Sequence, residues 1–213
     1  GRNIINAGDG SNKIYTGINL DTINTGKDND YIYSTGGDNI ISAGDGANTI
    51  NTGIGRDTIT AGKDNDYIYS GAESDIIYSN DGDDNIYSSS GEDTIYSGKG
   101  NDYINSGTEN DTIYSGEGND TIYADYGDDT IYSEDGDDKI YAGYGVDKIY
   151  AGSGIDTIDA GFGYDIIYFN RNDGHDTLIG TEVSTSFNTI RFGNDISKDQ
   201  VSFEKIDNNL KIN

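Results

Sequence analysis

The chain has 213 residues, 39 of them acidic and 13 basic, for a formal net charge of −26, and it contains no Pro, Cys, Met or Trp. Such a polyanion repels nucleic acid and anionic membrane surfaces and attracts cations. The lack of Cys removes disulfide and thiol chemistry, and no apolar run approaches the ~18 residues of a membrane helix.

Residues 1–7 read as the tail of one repeat unit, with Asn3 and Ile5 in register. From Gly8 to Phe169 the chain then divides into eighteen uninterrupted blocks of nine. Position seven is Ile in every block, from Ile14 to Ile167, and position five is Asp in fifteen and Asn in three (Asn12, Asn39, Asn48). Positions one and three are mostly Gly, and position nine is almost always Ser, Ala or Thr. Self-similarity at a short fixed period is the mark of a solenoid.

The unit Gly-x-Gly-x-Asp-x-Ile-x-[Ser/Ala/Thr] opens with turn chemistry, because Gly reaches positive φ freely and Asp and Asn tolerate it better than most. It closes with segments such as "TIYS", whose β-branched and aromatic residues predict a three-residue strand. Side chains alternate across a strand, so Ile faces a core while positions six and eight face solvent. Three-residue strands separated by six-residue turns must wind. The expected fold is all-β: a parallel β-roll of 18 residues per coil, its two short parallel sheets enclosing a thin layer of Ile over residues 1–169.

Blocks two apart then lie one above the other, and position five forms two columns. One is Asp30, Asn48, Asp66, Asp84, Asp102, Asp120, Asp138 and Asp156; the other is Asp21, Asn39, Asp57, Asp75, Asp93, Asp111, Asp129, Asp147 and Asp165. Like charges about 5 Å apart repel unless a cation lies between them. Residues 1–169 hold 32 acidic and 8 basic groups, so the repulsion is general. High charge with low apolar content predicts an unfolded chain without a counter-ion. Gly-rich turns can also aim backbone carbonyls at the carboxylates; the candidates are Gly82, Gly98, Gly100, Gly116, Gly118, Gly127, Gly136, Gly143, Gly145, Gly152, Gly154, Gly161 and Gly163. A donor set of carboxylate and carbonyl oxygens, with no His or Cys, suits Ca²⁺ better than Mg²⁺. The EF-hand loop with its terminal Glu is absent.

The repeat resembles the Gly-Gly-x-Gly-x-Asp-x-U-x nonapeptide (U a large apolar residue) of the haemolysin-type RTX proteins, with the first Gly of that motif replaced by Ser, Ala or Thr. The resemblance implies a right-handed parallel β-roll with several Ca²⁺ ions between turns. It also implies a secreted or cell-surface bacterial protein, such as a toxin, adhesin, surface-layer subunit or enzyme, exported by type I secretion. On this reading the chain is a piece of a longer protein that folds when it meets calcium outside the cell.

Residues 170–213 form the second expected unit. "NDGHDTL" (172–178) resembles the degenerate last turn of such arrays, and 188–212 resemble their flanking segment. Strands at "TIRF", "VSFE" and "LKI" would make a small, incomplete β cap over the open roll end. No catalytic site is expected: the single His175 reads as a surface or turn residue, and the Asn110 and Asn119 sequons are by-products of the repeat.

Position-eight tyrosines form outward columns: Tyr78, Tyr96, Tyr114, Tyr132, Tyr150 and Tyr168 on one sheet, and Tyr15, Tyr33, Tyr69, Tyr87, Tyr123 and Tyr141 on the other. The alternative function they suggest is a glycan- or surface-binding adhesin module; the plainer reading is β-propensity and in-register stacking.

The block "GKDNDYIYS" occurs at both 26–34 and 62–70, with Asp28 and Asp64 where Gly is usual. Two readings stay open. The extra Asp restores a carboxylate lost to a neighbouring Asn, or it is a non-Gly residue that accepts positive φ. Calcium loading is expected to be dependable from Asp75 to Asp165 and uneven before it.

Overall fold

The computed structural model describes residues 1–180, 188–194, 196–197, 201–206 and 209–212. All its regular structure is β. Most strands alternate between an 11-stranded and a 12-stranded sheet, and Tyr144–Gly145 pairs with Phe162–Gly163 in a separate two-stranded sheet. Neighbours pair in parallel at a shift of 18 residues: Ile95 opposes Ile77 and Ile113, and Ile104 opposes Ile86 and Ile122. The chain is a parallel β-solenoid of 18-residue coils.

The two sheets meet across the Ile layer. Every position-seven Ile from Ile23 to Ile149 is at most 1% exposed, while Ile14 at the open N-terminal end reaches 7%. Positions six and eight lie outside, as strand alternation requires. The strands are not uniformly short. Lys13–Tyr15 and Tyr103–Asn105 have the expected three residues, but Tyr67–Ala72, Ile76–Asp81, Asn85–Ser90, Thr94–Lys99, Thr112–Glu117 and Thr130–Asp135 have six. In these, Ser at position nine turns inward, and the ladder resumes at positions one and two, as in Gly98 opposite Gly116.

Parallel pairing continues beyond Phe169. Thr177–Leu178 pairs with Thr157–Ile158, and Thr189–Phe192 pairs with Ile166–Phe169. Asn209–Ile212 then adds antiparallel to Thr177–Leu178, and Phe203–Ile206 antiparallel to that. The expected strands at "TIRF" and "LKI" are present, and "VSFE" begins two residues late, at Phe203. Phe169 stacks on Phe192 at 6.0 Å between ring centroids, Phe203 meets Phe192 edge-on at 6.2 Å, and Ile212 is buried, so the last Ile of the roll is covered. The rest of the predicted flanking segment, including 181–187, lies outside the described residues.

Candidate metal centre

Each position-five residue stands where a turn enters a strand. Its backbone N–H donates to Oδ1 of the residue one coil on. In one column this runs from Asp57 to Asp75, Asp93, Asp111, Asp129, Asp147 and Asp165 at 2.7–3.0 Å. In the other it runs from Asp66 to Asp84, Asp102, Asp120, Asp138 and Asp156 at 2.7–2.9 Å. Asp21 and Asp30 head the earlier coils, and all fifteen aspartates are at most 3% exposed.

One oxygen of each carboxylate is therefore fixed by the ladder; the other is stranded. Oδ2 of Asp21, Asp30, Asp57, Asp75, Asp84, Asp93, Asp102, Asp111, Asp120, Asp129, Asp138, Asp147, Asp156 and Asp165 is buried without a hydrogen-bond partner. An unsatisfied buried carboxylate oxygen is strongly unfavourable, and one so placed in nearly every coil calls for a cation. Asp66 is the exception, because the Gly62 N–H reaches its Oδ2 at 3.4 Å.

Burial governs the protonation of these groups. It pushes Asp75 and Asp129 up to about 8 and Asp102 and Asp111 up to about 7. For Asp75, Asp102 and Asp129 the carboxylates above and below push the same way. The ladder N–H pulls back.

The turns add further oxygens beside the carboxylates. None of the described hydrogen bonds ends on the carbonyl oxygens of Gly82, Gly100, Gly118 or Gly136. The turns close only with Gly at some of these places. At Gly118, φ is +134°, and a Cβ would overlap the Gly100 carbonyl one coil below. Among the described residues no three Asp, Glu, His or Cys side chains converge on one point. A bound ion would thus be held by few carboxylates and several carbonyls, a donor set suited to a hard cation of high coordination number.

Two members of the columns escaped the sequence reading. The Asp156 N–H donates to Asp176 Oδ1 at 3.0 Å, and Asp176 is 1% exposed. The Asp165 N–H donates to Asn188 Oδ1 at 3.1 Å. Insertions shift their spacing to 20 and 23 residues and hide them from a strict nine-residue count. The available signal was "GHD", a Gly-x-Asp whose Gly174 bridges Gly154.

Position nine also acquires a role. Its serines are fully buried, and the hydroxyls run up the roll: Ser79 donates to the Ser97 carbonyl at 2.9 Å, Ser97 to Ser115 at 2.7 Å and Ser115 to Ser133 at 3.0 Å. A small residue is needed there because the side chain points into the packed coil.

Asp28 and Asp64 are exposed, with φ of 79° and 72°. Glu73 and Glu109 share that position and conformation, with φ of 75° and 77°. Asp28 Oδ2 accepts the Gly10 N–H at 3.2 Å. Backbone conformation accounts for all four, without any part in the buried columns. His175 is exposed.

The tyrosine column from Tyr78 to Tyr168 is a continuous stack, with centroids 4.2–4.9 Å apart and planes within 12°. Arg191 covers its last ring at 5.7 Å. On the other sheet, Asn105 leaves a gap that Tyr103 bridges, lying 5.6 Å from both Tyr87 and Tyr123. Interior rings of the first column spend both faces on their neighbours and turn edges and hydroxyls outward. A sugar ring docks best on an exposed aromatic face.

The family model described as "RTX calcium-binding nonapeptide repeat (4 copies)" matches residues 1–32, 15–50, 42–77, 69–104, 78–113, 105–140, 114–149, 134–167 and 141–178. These windows overlap from residue 1 to 178, which is the roll itself. No curated protein matches the chain.

Proposed function

Because the chain belongs to the RTX calcium-binding nonapeptide-repeat family, whose repeats bind several Ca²⁺ ions, we propose that it is a calcium-triggered folding module of a larger bacterial protein. When bound, Ca²⁺ supplies the positive charge and the coordination that the buried oxygens lack. The chain's own part is to present Oδ2 of the position-five aspartates, from Asp21 to Asp165, together with turn carbonyls such as those of Gly82, Gly100, Gly118 and Gly136. The ladder bond to Oδ1 fixes each carboxylate so that Oδ2 stays turned toward the cation.

In calcium-poor cytosol, self-repulsion and the stranded oxygens keep the chain unfolded, which suits passage through a type I secretion channel. Outside, where calcium is near millimolar, binding free energy becomes folding free energy. The module then stabilises whatever toxin, adhesin, surface-layer or enzymatic parent carries it, with no catalytic role of its own. The observation that carries this reading is the set of fourteen buried, partnerless Oδ2 atoms. Circular dichroism of the chain in chelator, titrated with Ca²⁺, tests it. A coil spectrum that converts to β-structure is expected; full β-structure in chelator, unchanged by Ca²⁺, contradicts it.

A further inference from the structure

Position five behaves differently where it is Asn. Oδ1 of Asn48 accepts the Asp30 N–H at 3.0 Å, and Oδ1 of Asn39 accepts the Asp21 N–H at 3.0 Å, as an aspartate Oδ1 would. That contact orients the amide and places Nδ2 where an aspartate has its stranded oxygen. Nδ2 is not stranded. In Asn48 it donates to the Gly44 carbonyl at 3.1 Å, and in Asn12 to the Gly8 and Gly10 carbonyls at 2.9 and 2.6 Å. In Asn39 it donates to the Ser34 hydroxyl at 3.3 Å, which itself donates to the Gly36 carbonyl at 3.2 Å.

Resting on the calcium reading above, we propose that these asparagines are built-in substitutes for calcium. The amide N–H₂ takes the place of the cation, donating to turn carbonyls directly in Asn12 and Asn48 and through the Ser34 hydroxyl in Asn39, and the coil closes without metal. A neutral amide supplies both the ladder acceptor and a donor toward the turn, without adding charge. Every neighbouring pair in the columns before Asp57 and Asp66 contains one Asn. The first pairs of two carboxylates are Asp57–Asp75 and Asp66–Asp84. The amides thus close their own turns, leaving Asp21 and Asp30 as the stranded carboxylates of the N-terminal coils, and calcium loads most heavily in the roll beyond them.

The test uses the full chain, Ca²⁺ itself as the probe, and two readouts: calcium bound per chain by equilibrium dialysis, and melting temperature in saturating calcium. Asn48→Asp is expected to raise the calcium count. Asp102→Asn is expected to lower the count while keeping the melting temperature close to that of the parent chain, whereas Asp102→Ala lowers both. If Asn48→Asp adds no calcium, or Asp102→Asn melts as low as Asp102→Ala, the substitution idea is wrong while the calcium reading stands. If the unaltered chain binds no calcium, the calcium reading itself fails, and this proposal with it.

Discussion

The backbone N–H of Asp75 donates to Oδ1 of Asp93 at 2.7 Å, and Oδ2 of Asp93 has no partner at all. The same carboxylate therefore serves two ends. One oxygen splices consecutive coils, and the other is left for something the polypeptide does not supply. Stability and metal binding share one side chain, so a substitution that removes both oxygens loses both.

The shifted carboxylates make the metal-free roll sensitive to pH. Asp75 and Asp129 rise from 3.8 to about 8 and Asp93 and Asp120 to about 6, chiefly through burial. A folded value above the unfolded one means that folding takes up protons. That stability is fully present below about pH 4 and is lost as pH rises through roughly 6 to 8. In chelator, the β-signal is expected to grow as pH falls from 8 toward 5. With calcium present, affinity should weaken over the same fall, because protons compete for the same oxygens. Dichroism across pH, with and without Ca²⁺, checks both directions.

The core is one Ile thick. Ile104 is fully buried, with Ile86 and Ile122 as its ladder neighbours. Ile104→Ala is expected to cost about 2–5 kcal/mol, because a layer this thin has little with which to fill the cavity. Thermal or denaturant unfolding in saturating calcium measures it, with the calcium count of the folded chain unchanged.

Tyr114 lies between Tyr96 and Tyr132 at 4.8 Å on each side. Tyr114→Ala breaks both stacks, each worth about 0.5–1.5 kcal/mol beyond buried area. The melting temperature is expected to fall while the number of bound calcium ions stays the same. A changed count would tie the tyrosine face to the metal columns.

Gly118 adopts a positive φ and lies against the Gly100 carbonyl. Gly118→Ala is expected to cost more than ~1 kcal/mol through backbone strain and forced separation of coils. It should also weaken calcium binding, since the Gly118 carbonyl belongs to the proposed donor set. Isothermal titration of the variant gives both effects.

Much of this fold was legible because nine-residue spacing leaves the chain few ways to bury Ile. The columns from Asp57 to Asp165 followed from the same count. Their consequences were less visible. Sequence placed carboxylates side by side but did not show that Oδ1 would bond to the coil below, which is what leaves Oδ2 alone. It marked calcium loading before Asp75 as uneven, but did not show that the Asn48 amide accepts from the Asp30 N–H and donates to the Gly44 carbonyl. Position nine read as merely small, although Ser97 and Ser115 form a buried hydroxyl ladder. Asp176 and Asn188 were missed because insertions shift their register while the hydrogen-bond ladder persists. In each case the missing information was direction: spacing tells which residues stack, and only three-dimensional packing tells which atom of each is used.

The most direct measurement is an anomalous-scattering map of the chain crystallised in saturating calcium. Peaks are predicted beside Oδ2 along both columns from Asp57–Asp75 and Asp66–Asp84 onward, with none in the turns closed by Asn12, Asn39 and Asn48. A folded roll whose Oδ2 atoms meet only water in that map would contradict the account.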